Sequence, residues 1–271
     1  PKRAPLVSVI TPSLNQGGFI EETIRSVTGQ NYPRVEYIVI DGGSSDETLD
    51  VLRKYNDSIK WFSEADNGQA DAINNGINMA SGEIITWLNS DDILLPGAIS
   101  KVVDCFLRNA SVTMVYGKSH FINTANNVIG RYPTEPFDFQ RLAMFNFICQ
   151  PSTFFKKDAF DEVGGLNTNL HYAFDLDLWI RTAKKSGAKY LPEFLSGYRL
   201  HGTSKTVGHA HALQNQKEGL DVVRKHYDWA PLNRVYGYCY QIIEAKLPPS
   251  VRKLRPLTIA LSLLFSAVKY L

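Results

Sequence analysis

The chain has 271 residues, 44% hydrophobic and 21% charged, which is ordinary for a soluble globular protein with room for one large α/β domain or one domain plus an appendage. Net charge is +2, but residues 206–271 hold nine Lys/Arg against four Asp/Glu, so the first 205 residues are mildly acidic. That excludes a nucleic-acid binder, whose working surface should be basic. Cys105, Cys149 and Cys239 lie far apart with no CxxC spacing, which excludes a disulfide framework and a zinc knuckle and fits a reducing, cytoplasmic setting.

Strand and helix signals alternate from the start. Pro1 to Pro5 leads straight into the apolar run Leu6–Ile10, so no apolar leader is expected there. A helix follows over about residues 18–29, with Ile20, Ile24 and Val27 on one face. The next strand, Val35–Ile40, ends at Asp41-Gly42-Gly43, and Ser45 or Asp46 can cap a helix running to Tyr55. A third strand spans Ile59–Phe62, a helix covers about 69–80, and Ile84–Leu88 forms a central strand carrying Asn89-Ser90-Asp91-Asp92 at its end. Continuous apolar strands between amphipathic helices predict a mostly parallel sheet covered on both faces. Ligands bind outside the carboxyl ends of such strands. Three of these ends are polar and turn-prone: Thr11-Pro12-Ser13, Asp41 to Asp46, and Asn89 to Asp92.

The second half is less regular. Val112–Tyr116, Ser119–Ile122, Ser152–Phe155 and Tyr190–Leu200 read as strands, with a turn at Thr124–Asn127. Residues 133–150 have weak periodicity and read as a mobile loop over the site. Helical pattern covers about 175–186, 207–227 and 234–246. Trp87, Trp179 and Ile180 read as core, and Arg181 either pairs with a core carboxylate or supports Asp175. After Arg252, Lys253 and Arg255, Leu257–Val268 is a stretch without charge, too short for a bilayer that needs about 20 apolar residues. Two readings stand for residues 250–271: an interfacial helix on anionic headgroups, or a helix docked on the domain or on a partner subunit in a homo-oligomer.

Adjacent carboxylates such as Asp91 and Asp92 repel unless a cation lies beside them, and oxygen ligands suit Mg²⁺ or Mn²⁺ with phosphate completing the shell. The competing reading of Asp92 is a helix cap before Ile93-Leu94-Leu95-Pro96. The glycines after Asp41 match neither GxGxxG nor a Walker loop. The loop Thr11–Gly18 has no basic residue, which argues against a sugar-nucleotide pyrophosphorylase.

Val9–Asn15, Tyr37–Asp46, Ser63–Gly68 and Leu88–Asp92, in that order, resemble the nucleotide-sugar half of family 2 glycosyltransferases with the GT-A fold. Gln150–Phe155, Val163–Leu166, Phe174–Arg181 and Tyr198–Gly202 resemble their acceptor half, so the likeness covers about residues 6–205. It implies a GT-A, Rossmann-like α/β domain over 1–205, divided at residue 95 into nucleotide-sugar and acceptor halves, and a helical extension over 206–271. The implied activity is inverting transfer from a UDP-sugar to a glycan or lipid-linked acceptor, in polysaccharide or glycoconjugate synthesis, with Mn²⁺ or Mg²⁺.

The resemblance also implies residue roles. Thr11, Pro12, Asn15 and Gly43 would line the nucleotide pocket, with Asp41 on the base. Asp66, Gly68, Asp71 and Asn74 would form a donor-sugar segment, and Asn89 stands where the family has Asp. Asp91 would face ribose or metal, Asp92 would lead the metal ligands, and His201 would complete them or remain structural. Asp175 would be the general base, leaving Asp177 as a helix cap or exposed charge and His209 and His211 at the surface. The alternative function is a non-catalytic nucleotide-sugar or glycan-binding module.

Overall fold

The computed structural model describes residues 3–202, 204, 211–247 and 255–270. Among these, nine strands form one sheet in the order β3-β2-β1-β4-β8-β6-β9-β5, with β7 paired to β6. The strands are β1 (Val7–Ser13), β2 (Val35–Asp41), β3 (Lys60–Ser63), β4 (Ile84–Trp87), β5 (Ile93–Leu94), β6 (Met114–Ile122), β7 (Val128–Arg131), β8 (Thr153–Lys156) and β9 (Lys189–Arg199). β1 to β4 pair in parallel, as the apolar runs predict. β8 joins β4 and β6 antiparallel, and β9 runs parallel to β6 and antiparallel to β5, so the sheet is mixed where the second half of the chain enters it.

Helices cover both faces. α1 (Gly17–Thr28), α2 (Thr48–Lys54) and α4 (Ala98–Arg108) pack on Val7, Val9 and Val39 from one side. α3 (Gln69–Met79) and α7 (Phe174–Ser186) pack on Ile10, Ile38 and Ile40 from the other. The period-2 alternation of a strand thus sends successive β1 side chains into two cores. α3 comes so close to β1 that a Cβ at Gly76 would stand 2.5 Å from Ile10 Cγ2, a contact only glycine permits.

Residues 133–150 are not the loose loop their periodicity suggests. They contain α5 (Phe139–Met144), and Leu142, Ala143, Phe147, Ile148 and Cys149 are at most 1% exposed. The segment is irregular because it fills a gap in the core. A short 3-10 turn at Gln150–Ser152 leads into β8, and α6 (Lys157–Glu162) follows it.

The C-terminal helices are α8 (Ala212–Tyr227), α9 (Leu232–Lys246) and α10 (Arg255–Tyr270). Val222 and Val223 of α8 are buried in the same core as α3 and α7. Residues 207–210 of the expected helix, His209 and the basic pair Arg252 and Lys253 lie outside the described residues.

Candidate active site

Trp87 of β4, Phe155 of β8 and Trp179 of α7 stack with ring centroids 5.4–6.2 Å apart. This aromatic layer ties the end of the parallel sheet to the helix that carries Asp175. Above it opens a cleft of about 770 Å³, a size suited to a small-molecule ligand. Pro12, Asp66, Gly68, Asn89 and Asp91 line it from the first half of the chain, and Asp175 lines it from the second. Two of the three polar strand ends read in the sequence, those after β1 and β4, therefore border one site, while no residue of Asp41–Asp46 lines it.

The two adjacent carboxylates have different surroundings. Ser90 and Asp91 form a turn closed by the Asp92 N–H on the Asn89 carbonyl, and of the two carboxylates only Asp91 reaches the cleft. Its Oδ2 lies 2.9 Å from His201 Nε2, and the imidazole packs against the Phe19 ring at 4.6 Å. Asp92 is fully buried; its Oδ1 accepts the backbone N–H of Arg199 at 2.8 Å. Burial, then the neighbouring Asp91 charge, push its carboxyl well above the usual range. Asp92 does not line the cleft, where the leading metal ligand was expected: it locks β9 to the end of β4, while Asp91, bonded to His201, reaches the cleft. Nor is Asp92 a helix cap, because β5 follows it and α4 begins only after Gly97.

Several other expected nucleotide residues serve the scaffold. Thr11 is fully buried with its hydroxyl 2.9 Å from Tyr37 Oη, while its neighbour Pro12 lines the cleft. Asp41 is fully buried and accepts from the Gly43 and Ser44 amides and the Ser63 hydroxyl, so its oxygens are spent closing its own turn. Gly43 takes φ +85° in that turn. Asn15, at φ 53°, accepts from the Ser45 amide and donates its own N–H to Ser44 Oγ, joining the loops after β1 and β2. Asp46 accepts from Gly17 and Thr48, which ties the same two loops.

The segment before α3 divides in the same way. Asp66 caps Gly68 N–H at 2.8 Å, and its Oδ2 stands 2.7 Å from where a Cβ at Gly42 would be. The missing side chain at residue 42 leaves room for this carboxylate at the cleft wall. Asp71 accepts from Asn67 instead of facing the cleft. Asn74 clamps the backbone of Leu166 through two hydrogen bonds of 2.9 Å, holding the two halves together. Gln69 Nε2 donates to Asn89 Oδ1 at 2.8 Å, setting the amide that stands in place of a carboxylate.

Asp175 lies in the first turn of α7, enclosed by cleft residues with part of its surface open to them. Burial raises its carboxyl to about 6, against the lowering effect of the Leu176 amide and the Arg234 charge. Asp177 is not exposed as expected. It is 1% exposed and holds Arg181 Nε and His226 Nε2 at 2.7 Å each. Burial disfavours its ionised form, but the His226 hydrogen bond and the Arg181 charge outweigh that and keep it below the usual range. Arg181 also donates to the carbonyls of Val163 and Gly165, which settles it as the partner of a core carboxylate. His211 is exposed, as expected.

Sequence reasoning missed the contribution of the C-terminal helices. Asn215, Gln216 and Gly219 of α8 and Arg234 of α9 line the same cleft. Glu218 Oε2 accepts the N–H groups of His171, Tyr172 and Ala173 at 2.7–3.2 Å, fixing the turn that launches α7. The one available signal was Glu218 and Arg234 falling on helical stretches that also carry apolar faces. Among the described residues no three His, Cys, Asp or Glu side chains gather into a metal-binding group. Asp91 at the cleft and His201 bonded behind it offer one oxygen and one nitrogen donor, a pair that fits Mn²⁺ once diphosphate oxygens fill the shell.

A family model described as Glycosyl transferase family 2 matches residues 8–164. An uncharacterized glycosyltransferase of Rickettsia typhi is 30% identical over 220 residues, covering 75% of this chain and 66% of that protein. The chondroitin synthase of Escherichia coli is 26% identical over 261 residues, which is 91% of this chain but 38% of the synthase. The chain thus spans just under two thirds of the first relative and far less of the second. A mannosyltransferase, PcManGT from Pyrobaculum calidifontis in complex with GDP-Man and Mn²⁺, superimposes with a TM-score of 0.66 at 19% identity, covering 99% of this chain and 88% of that one. S. aureus TarS 1-349 in complex with UDP-GlcNAc gives 0.62 at 14% identity, covering 93% and 79%. At these identities the two structures speak for the GT-A fold.

Proposed function

The chain belongs to glycosyl transferase family 2, and from that premise we propose that it transfers a sugar, with inversion, from a UDP-linked donor to a hydroxyl of a glycan or lipid-linked acceptor during polysaccharide or glycoconjugate synthesis. The observation that carries this reading is the single cleft lined by both Asp91, which is bonded to His201, and Asp175. Pro12 and Asp66 bound its nucleotide end, and Asp175 supplies the base. A carboxyl raised to about 6 is ionised at neutral pH yet basic enough to draw a proton from a hydroxyl. The acceptor oxygen then attacks the anomeric carbon from the face opposite the leaving diphosphate. A divalent cation held by Asp91 and His201 would offset the charge that builds on that diphosphate.

A peripheral membrane contact fits the last helix. Thr258, Ser262 and Ser266 of α10 are buried, while Ile259, Leu263 and Leu264 are 42–63% exposed. An apolar outer face of this kind suits the boundary of a bilayer at the cytoplasmic side, and among the described residues no helix is long and apolar enough to cross one. The catalytic reading is tested by offering the protein UDP-, GDP- and dTDP-sugars with Mn²⁺ and measuring nucleotide release. One or more UDP-sugars should release UDP, and chelation should stop it. Binding of a nucleotide-sugar with no release from any of them would leave only a binding module.

A further inference from the structure

Arg234 is a cation of the cleft wall whose direct hydrogen-bond partners, among the described residues, are carbonyls. α9 projects it into the cleft wall, where Nε donates to the Ala143 carbonyl at 2.5 Å and one terminal nitrogen approaches the Leu142 carbonyl at 3.5 Å. Among the described residues no carboxylate pairs with it, although its charge acts on Asp175. Its Nη1 lies 3.2 Å from where a Cβ at Gly219 would stand, so α8 keeps that space clear. Asp175 acts on Arg234 without a direct bond, and a largely enclosed guanidinium hydrogen-bonded only to neutral carbonyls is costly unless a ligand completes it. Its planar fork matches a carboxylate or a phosphate through paired hydrogen bonds. Around it the cleft is lined by Asn215, Gln216, His171, Tyr172 and Tyr132, amide and aromatic surfaces suited to a sugar ring.

We propose that Arg234 is the anion-recognition residue of the acceptor subsite, and that the accepting sugar carries a carboxylate or a phosphate close to the hydroxyl that attacks. This rests on reading the cleft as a transferase site with Asp175 as base. The guanidinium binds the oxyanion and thereby turns the acceptor hydroxyl toward Asp175. It is held by the C-terminal helices, so acceptor choice is set outside the segment matched by the family model, residues 8–164.

The test measures binding to the full chain saturated with UDP and Mn²⁺. The probes are 4-nitrophenyl β-glucuronide and β-galacturonide, their neutral glucoside and galactoside twins, and glucose and galactose 1-phosphates. At least one anionic probe should bind about ten-fold or more tightly than its neutral counterpart, the scale of a hydrogen bond to a charged group. The uronides and the phosphates separate the two sources of the anion. Arg234→Gln should bring that ratio to about one, while Arg234→Lys should keep part of it. If no anionic probe outbinds its twin, or Arg234→Gln keeps the ratio, the proposal fails. A loss of UDP affinity in Arg234→Gln with the ratio intact would instead assign the cation to the donor. Failure of the underlying reading looks different: no nucleotide-sugar would be bound or turned over by the unaltered protein.

Discussion

At the scale of the residue, the account turns on which carboxylates face the cleft. Asp175 faces it and is raised by burial to about 6, so it is protonated and idle below that pH and ionised above it. Under donor saturation, turnover should rise as pH increases through about 6 and then level; a rate already flat from pH 5 to 7 would contradict a base in this environment. The Asp91 and Asp92 pair gives a second contrast. Asp92→Ala removes the acceptor of a buried backbone N–H and should lower stability by about 1–3 kcal/mol in thermal or denaturant unfolding. Asp91→Ala should leave the melting temperature near that of the unaltered protein while abolishing the dependence of turnover on Mn²⁺. The sequence placed both in the site because adjacent residues share every local signal. Which one points inward depends on the turn after β4 and on the backbone of Arg199, 107 residues away. The same limit applies to Thr11, Asp41 and Asn74: local pattern offers each as a ligand residue, and a distant partner (Tyr37, Ser63, Leu166) takes its polar atoms.

At the scale of the element, the first half was legible and the second only in pieces. β1, β2, β4, α1 and α3 carry regular periodicity and end in turn residues, which local pattern captures. α4 has an apolar face of Ile99, Val102, Val103 and Phe106 but begins only after Gly97, later than a cap at Asp92 with Pro96 in the first turn would place it. β5 is two residues long and pairs with Ser196 and Gly197 of β9, a contact with no local sign. The start of α7 is the most consequential element boundary, since it aims Asp175. Its N-cap Ala173 offers no side-chain cap; Glu218 supplies the missing acceptor from α8. Glu218→Ala should therefore reduce turnover by an order of magnitude or more and lower stability by about 2 kcal/mol, whereas Glu218→Gln should retain much of both. Normal turnover in Glu218→Ala would show that α7 needs no support from the C-terminal helices.

At the scale of the whole molecule, the helices beyond residue 205 pack into the domain before it. α8 contributes Val222 and Val223 to the principal core and, with α9, lines the cleft. A chain ending at residue 205 should expose that core and lose cooperative unfolding; a soluble truncation that melts sharply and binds UDP would contradict this integration. The central claim, that Asp175 is the base of an inverting transfer, is tested most directly by comparing the unaltered protein with Asp175→Asn on the donor that releases most nucleotide. Product should form with inverted anomeric configuration in the unaltered protein. Asp175→Asn should bind UDP with similar affinity and transfer about 10² to 10⁴-fold more slowly, the usual worth of a positioned base. Retained configuration in the product, or an Asp175→Asn variant that transfers at an undiminished rate, would contradict the account.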